Sequence, residues 1–147
     1  MFNLGMSMLY FFIGMVAVTV VGILHTCFNI FVLKMSSMDK NIKDDMGEGY
    51  SKTKPWHPLY NIILFSLFAW LYLRSLDSPT ITEALLTGAV WMGACIVVDV
   101  FGWVIIKHPW SLSFKGFYVD YQPWITLIYL AIFAAPFIGY LLTSCTY

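Results

Sequence analysis

Polar and apolar residues fall along this chain in blocks, not in stripes. Four apolar runs, at 8–33, 59–73, 81–106 and 124–142, are separated by polar stretches. A hydrocarbon core of roughly 30 Å is crossed by about 20 apolar residues in a helix, so each run reads as a membrane span. The second run is short; it is expected to tilt little and to draw its flanking Trp and Arg to the interface. The fold class expected is all-α: one polytopic membrane domain over 1–147, built as an antiparallel four-helix transmembrane bundle with the first and third spans central.

The breaks between runs carry their own pattern. Lys34, Arg74 and Lys107 close the first three runs. The stretch MSSMDKNIKDDMGEGYSKTKPWHP mixes charges with Gly and Ser and reads as a solvated connection, helical in part. Residues 75–82 form a tight turn containing Pro79. Pro109 should interrupt the third helix, because its ring and missing N–H both oppose continuation. The following SLSFKGFYVDY is too polar to cross and too aromatic for a plain loop. It is expected to lie along the headgroup boundary with its aromatics inserted, an interfacial aromatic segment between the third and fourth helices. The opening MFNLGMSML lacks a basic stretch and reads as the start of the first span, not as a cleaved leader.

The two halves of the chain resemble each other. The first span ends FNIFVLK and the third FGWVIIK; the second is approached through KPWHPLYNIILF and the fourth through QPWITLIYLAIF. Two αα-hairpin repeats, parallel about an axis along the membrane normal, would give this pattern. So would generic punctuation, since Pro suits a helix start and Trp the headgroup level.

Charge then sets an orientation. Lys34, Lys40, Lys43, Lys52, Lys54, Lys107 and Lys115 flank the two longer connections, and Arg74 alone lies on the other side. The excess of basic residues places loops 34–58 and 107–123 in the cytoplasm and both termini outside, in the plasma membrane.

Composition agrees with this and excludes several functions. The chain is 60% hydrophobic, 18% aromatic and only 11% charged, with a mean hydropathy of +0.77; soluble domains carry about 25% charged residues. The net charge is zero, which leaves no footprint for nucleic acid. Cys27, Cys95 and Cys145 are far apart, so neither a disulfide framework nor a metal site is favoured. No phosphate-binding glycine loop, zinc-protease helix or nucleophile elbow occurs, and Ser66, Ser111 and Ser113 lack a nucleophile context. Nothing calls for a cofactor or metal, and no catalytic residue is assigned.

Two sets of polar residues remain. His25 and Asp99 lie within spans, nine and eight residues before Lys34 and Lys107, at matching depths of about 12–14 Å from those lysines. With Asn29 they share helix faces with small residues: Gly14 and Gly22 on the first span, Gly88, Cys95 and Gly102 on the third. Small residues beside polar ones suit close helix packing in lipid. A His25–Asp99 pair is therefore expected between the first and third helices, either as a relay or ion site or as a structural bond that fixes register. The second set is a cytoplasmic rim: Trp56, His57, His108, Trp110, Lys115, Tyr118, Asp120, Tyr121 and Trp124. It reads as an aromatic belt first, and as a headgroup-binding or acid–base surface second.

Three functions stay open. The leading one is a non-enzymatic accessory or lipid- or partner-binding subunit of a membrane complex. The others are a small transporter or channel subunit using His25 and Asp99, and an interfacial lipid-modifying enzyme. The partners expected are the lipid bilayer and either another membrane protein or further copies of the chain.

Overall fold

The computed structural model describes residues 2–39, 41–42 and 44–145. Lys40 and Lys43, two of the charges used for orientation, and the last two residues of the TSCTY tail lie outside these. All regular structure among the described residues is helical: α1 (Leu4–Phe31), α2 (Gly47–Thr53), α3 (His57–Arg74), α4 (Ile81–Asp99), α5 (Phe114–Tyr118) and α6 (Trp124–Ser144). A 3₁₀ turn (Lys54–Trp56) joins α2 to α3, and a π-helical turn (Val100–Ile105) extends α4. Four helices are long and apolar enough to cross a membrane: Leu4–Phe31, Gly47–Arg74, Ile81–Ile105 and Trp124–Ser144.

Helix ends follow local chemistry. α1 begins four residues before the expected span because the Asn3 side chain accepts from the Met6 amide at 3.0 Å, satisfying one of the orphan donors of the first turn. α4 starts in a capping box: Glu83 N–H donates to the Thr80 hydroxyl, and Thr80 N–H donates to the Glu83 carboxylate. The second span differs most from expectation, running unbroken over 28 residues. Pro55 and Pro58 do not break it because each sits in the first turn of its helical segment, where a missing N–H costs nothing.

Close contacts fix the helix directions. A Cβ on Gly14 of α1 would meet the Phe65 ring of α3 at 2.9 Å, and one on Gly22 would meet His57 Nε2 at 3.3 Å; α1 and α3 run oppositely. A Cβ on Gly88 of α4 would lie 2.4 Å from the Phe133 carbonyl oxygen of α6, while Asp99 reaches Tyr129 near the start of α6; these two also run oppositely. Gly139 of α6 lies against the Ala69–Trp70 peptide of α3, where a Cβ would come within 2.7 Å of the Trp70 nitrogen. The early turns of the same helices share a shallow apolar groove lined by Leu59, Ile62, Leu127 and Ala131, so α3 and α6 run in parallel.

The most extensive packing is α3 on α6, then α4 on α6 and α1 on α3. The centre is therefore formed by the second and fourth spans, which corrects the expectation that the first and third would be central. The small surfaces of Ala69 and Gly139 let the α3 and α6 backbones approach. α1 and α4 meet little; their closest link is the Trp91 indole N–H, which donates to the carbonyl and hydroxyl of Ser7 at 3.1 and 2.9 Å.

Phe11, Phe65, Ala69, Trp91, Ile132 and Ala135 form the buried centre. Outward positions such as Phe12, Val16, Leu24, Val97 and Leu130 are exposed and apolar. The segment after α4 does not lie flat on the outside. Leu112, Phe117 and Tyr121 are buried in the same core, while Phe114, Lys115, Val119 and Asp120 face outward. Phe117 and Tyr121 thus close the end of the protein, which the expectation of aromatics inserted at the headgroup boundary did not include.

Candidate functional site

The polar side chains within the spans gather toward the end where α3 and α6 begin. In the first hairpin, His25 Nδ1 of α1 bonds the Tyr60 hydroxyl of α3, and Trp56 stands edge-on to the imidazole at 6.0 Å. One turn further, the Asn29 amide donates to the Gly49 carbonyl at 3.0 Å and to the Thr53 hydroxyl at 3.1 Å. Asn29 thus holds α2 against α1, which is why the polar connection folds back as helix.

The second hairpin repeats the arrangement with an acid. Asp99 is 7% exposed. Its Oδ2 accepts from the Tyr129 hydroxyl of α6 at 3.0 Å and from the Cys95 thiol at 3.6 Å. Tyr129 in turn meets the Tyr118 hydroxyl at 3.2 Å. The π-helical turn begins at the next residue. Such turns recur at functional sites in helices.

His25 and Asp99 are not brought together. Each bonds a tyrosine of the following span in its own hairpin. The expected pairing is corrected on that ground.

Between the hairpins lies a third group. His57 Nδ1 bonds the Tyr121 hydroxyl at 2.6 Å, and Tyr121 meets the Tyr50 hydroxyl at 3.1 Å. The Lys54 ammonium sits over the Tyr121 and Tyr50 rings, 4.8 and 5.7 Å from their centroids, a cation–π arrangement. Burial pushes the Tyr121 phenol far up and raises Tyr118 as well. Both stay neutral and serve as hydrogen-bonding hydroxyls. His57 is therefore an inward residue, not part of an exposed rim.

The remaining rim residues divide by role. Trp110 N–H donates to His108 Nδ1 at 3.2 Å, which leaves Nε2–H to donate to the Gly102 carbonyl at 2.7 Å. Neighbouring carbonyls at this helix end are also taken: Phe101 by the Ile106 amide, Trp103 by the Leu112 amide and Val104 by the Lys107 ammonium. His108 is thus one of a set of caps on the π-helical turn. Lys115 and Asp120 approach at 3.9 Å with both side chains largely in solvent, a geometry worth about 0–1 kcal/mol. Trp56 and Trp110 are exposed, and Trp124 is half-buried.

The two connections are also clamped together. The Asp44 carboxylate accepts from the Ser113 amide and hydroxyl, both at 2.6 Å, and the Ser113 hydroxyl accepts from Gly116 N–H at 3.0 Å at the start of α5. Among the described residues, no three His, Cys, Asp or Glu side chains gather so as to hold a metal ion. Sequence reasoning missed Tyr60, Tyr129, Cys95 and Tyr50 as partners. The available signal was that Tyr60 and Tyr129 each follow a Pro-Trp pair by about one turn, placing a hydroxyl on an apolar body where it can reach inward.

Comparison with protein-family models, with curated proteins and with solved structures found no match for this chain.

Proposed function

We propose that the chain is a multi-pass four-helix transmembrane bundle of two αα-hairpin repeats, and that it serves as a non-enzymatic accessory subunit binding a lipid or protein partner in the membrane. The repeat reading is supported by equivalent contacts. A Cβ on Gly14 would meet the Phe65 ring and one on Gly88 the Phe133 carbonyl oxygen, and each glycine stands eleven residues before the ionisable residue of its helix, His25 or Asp99. Those residues each bond a tyrosine of the returning helix. The lysine distribution supports loops 34–58 and 107–123 in the cytoplasm of a plasma-membrane protein with outside termini. The exposed Trp56 and Trp110 suit a headgroup interface.

The observation that carries the functional reading is how the polar groups are engaged. His25, Asn29, His57, Asp99 and His108 each hold another part of the chain in place. That each already has a partner within the chain supports a structural role for these groups. The remaining large surface is apolar and faces outward.

A second reading, a small transporter or channel subunit, is favoured by Asp99 itself, a buried acid bonded by neutral donors at the start of a π-helical turn. One experiment separates the two. The chain, tagged at its native expression level, is extracted in mild detergent and its complexes are sized; in parallel the pure chain is tested for ion flux in liposomes. A stoichiometric complex with a second membrane component, and no flux, supports the accessory role. A homo-oligomer whose flux is lost in Asp99→Asn overturns it in favour of transport.

A further inference from the structure

Two buried polar side-chain atoms of α3 have no partner among the described residues: Ser66 Oγ and Trp70 Nε1. They lie one turn apart on α3, so they share a face. That face looks at α6, because Gly139 packs on the Ala69–Trp70 peptide. The two helices are parallel, so one turn back from this contact Ser66 stands opposite Pro136. Pro136 is fully buried inside α6 and has no N–H to donate to the Ile132 carbonyl one turn earlier. The buried core beside Ser66 includes Phe65, Ala69, Ile132 and Ala135, while the Arg74 guanidinium lies over the Trp70 ring at 5.3 Å. Two donors and one acceptor released from helix bonding thus occur together in a setting where each needs a partner.

We infer that this interface holds a bound water molecule, which accepts from Ser66 or Trp70 and donates to the Ile132 carbonyl. A buried water makes two to four hydrogen bonds; one of the two donors and the Ile132 carbonyl supply two. Ordered water and Ser or Thr side chains are what satisfy backbone groups freed by proline in membrane helices. The site sits where the two hairpins meet, so it couples the proline bend of α6 to α3. It is independent of the accessory or transport reading.

The test is a thermal-stability cycle on the purified full chain in detergent, with Ser66→Ala, Pro136→Ala and both together, beside a structure in lipid that resolves waters. Ser66→Ala is expected to lower the melting temperature by about 2–4 °C. In the Pro136→Ala background that loss should shrink to less than half, because the alanine amide takes over the Ile132 carbonyl. An unchanged or raised melting temperature in Ser66→Ala, or equal losses in both backgrounds, overturns the site. If Pro136→Ala does not fold, the structure decides. Water density within hydrogen-bond distance of Ser66 Oγ and the Ile132 carbonyl upholds the site, and an empty interface overturns it.

Discussion

The Tyr129 hydroxyl donates to the Asp99 carboxylate at 3.0 Å, so Asp99 is anchored across its own hairpin, as His25 is by Tyr60. A double-mutant cycle reads this directly. Tyr129→Phe with Asp99→Asn should show a coupling of about 0.6–1.7 kcal/mol, the range of hydrogen bonds measured within membranes. His25→Ala with Asp99→Asn should be additive within about 0.3–0.5 kcal/mol, as for separate sites. A coupled His25–Asp99 cycle beside an additive Tyr129–Asp99 cycle would overturn the arrangement.

Two glycines of α4 should respond oppositely to the same change. A Cβ on Gly88 would press on the Phe133 carbonyl at 2.4 Å, whereas one on Gly93 would meet nothing within 4 Å. Gly88→Ala should destabilise the protein by about 1–3 kcal/mol through overpacking. Gly93→Ala should be neutral or slightly stabilising. Thermal unfolding in detergent checks both, and equal effects would contradict the α4–α6 contact.

The connection after α1 should loosen in acid. The backbone amides of Asp39 and Gly47 donate to Asp45 at 2.8 and 3.0 Å and hold its carboxyl below the usual aspartate range. A depressed folded value means the contribution is complete above the ordinary aspartate value of about 3.9 and is lost as pH falls through the lower folded value. Hydrogen-exchange protection of the Asp39 and Gly47 amides should fall over that window. In Asp45→Asn, protection at these amides should no longer change across it.

Cys145 tests the orientation. It is exposed just past α6, Cys27 is half-buried within α1 and Cys95 is buried in α4. A membrane-impermeant thiol reagent added to intact cells should label Cys145 alone. Labelling that requires permeabilised cells would place the termini inside.

How much of this was legible follows from what lipid does to a sequence pattern. The four apolar runs stand out because crossing a bilayer demands length and apolarity together, and α6 begins at the expected residue, after Pro123. The connection ahead of α3 was harder: GEGYSKT is polar and reads as loop, and the contacts that tie it down as helix, from Asn29 to Gly49 and Thr53 and from Thr26 to Thr53, come from α1. Helix pairing was least legible. In a soluble bundle the buried face is the apolar one, but α1 is apolar nearly all round, so no stripe says whether Phe11 or Phe12 faces inward. His25 and Asp99 do face inward, yet their partners Tyr60 and Tyr129 look in sequence like belt aromatics.

That each ionisable residue bonds the next span along the chain bears on biogenesis. Ribosomes deliver the chain in order, so the N-terminal half can fold before the second half is made. His25 needs only α3, and Asp99 only α6, so neither must wait for a distant helix to cover its polar group. Each hairpin can leave the translocon as a finished unit with its polar residue already engaged. Assembly then reduces to docking two such units along α3 and α6, with the connections closing over the end where α3 and α6 begin as the final step.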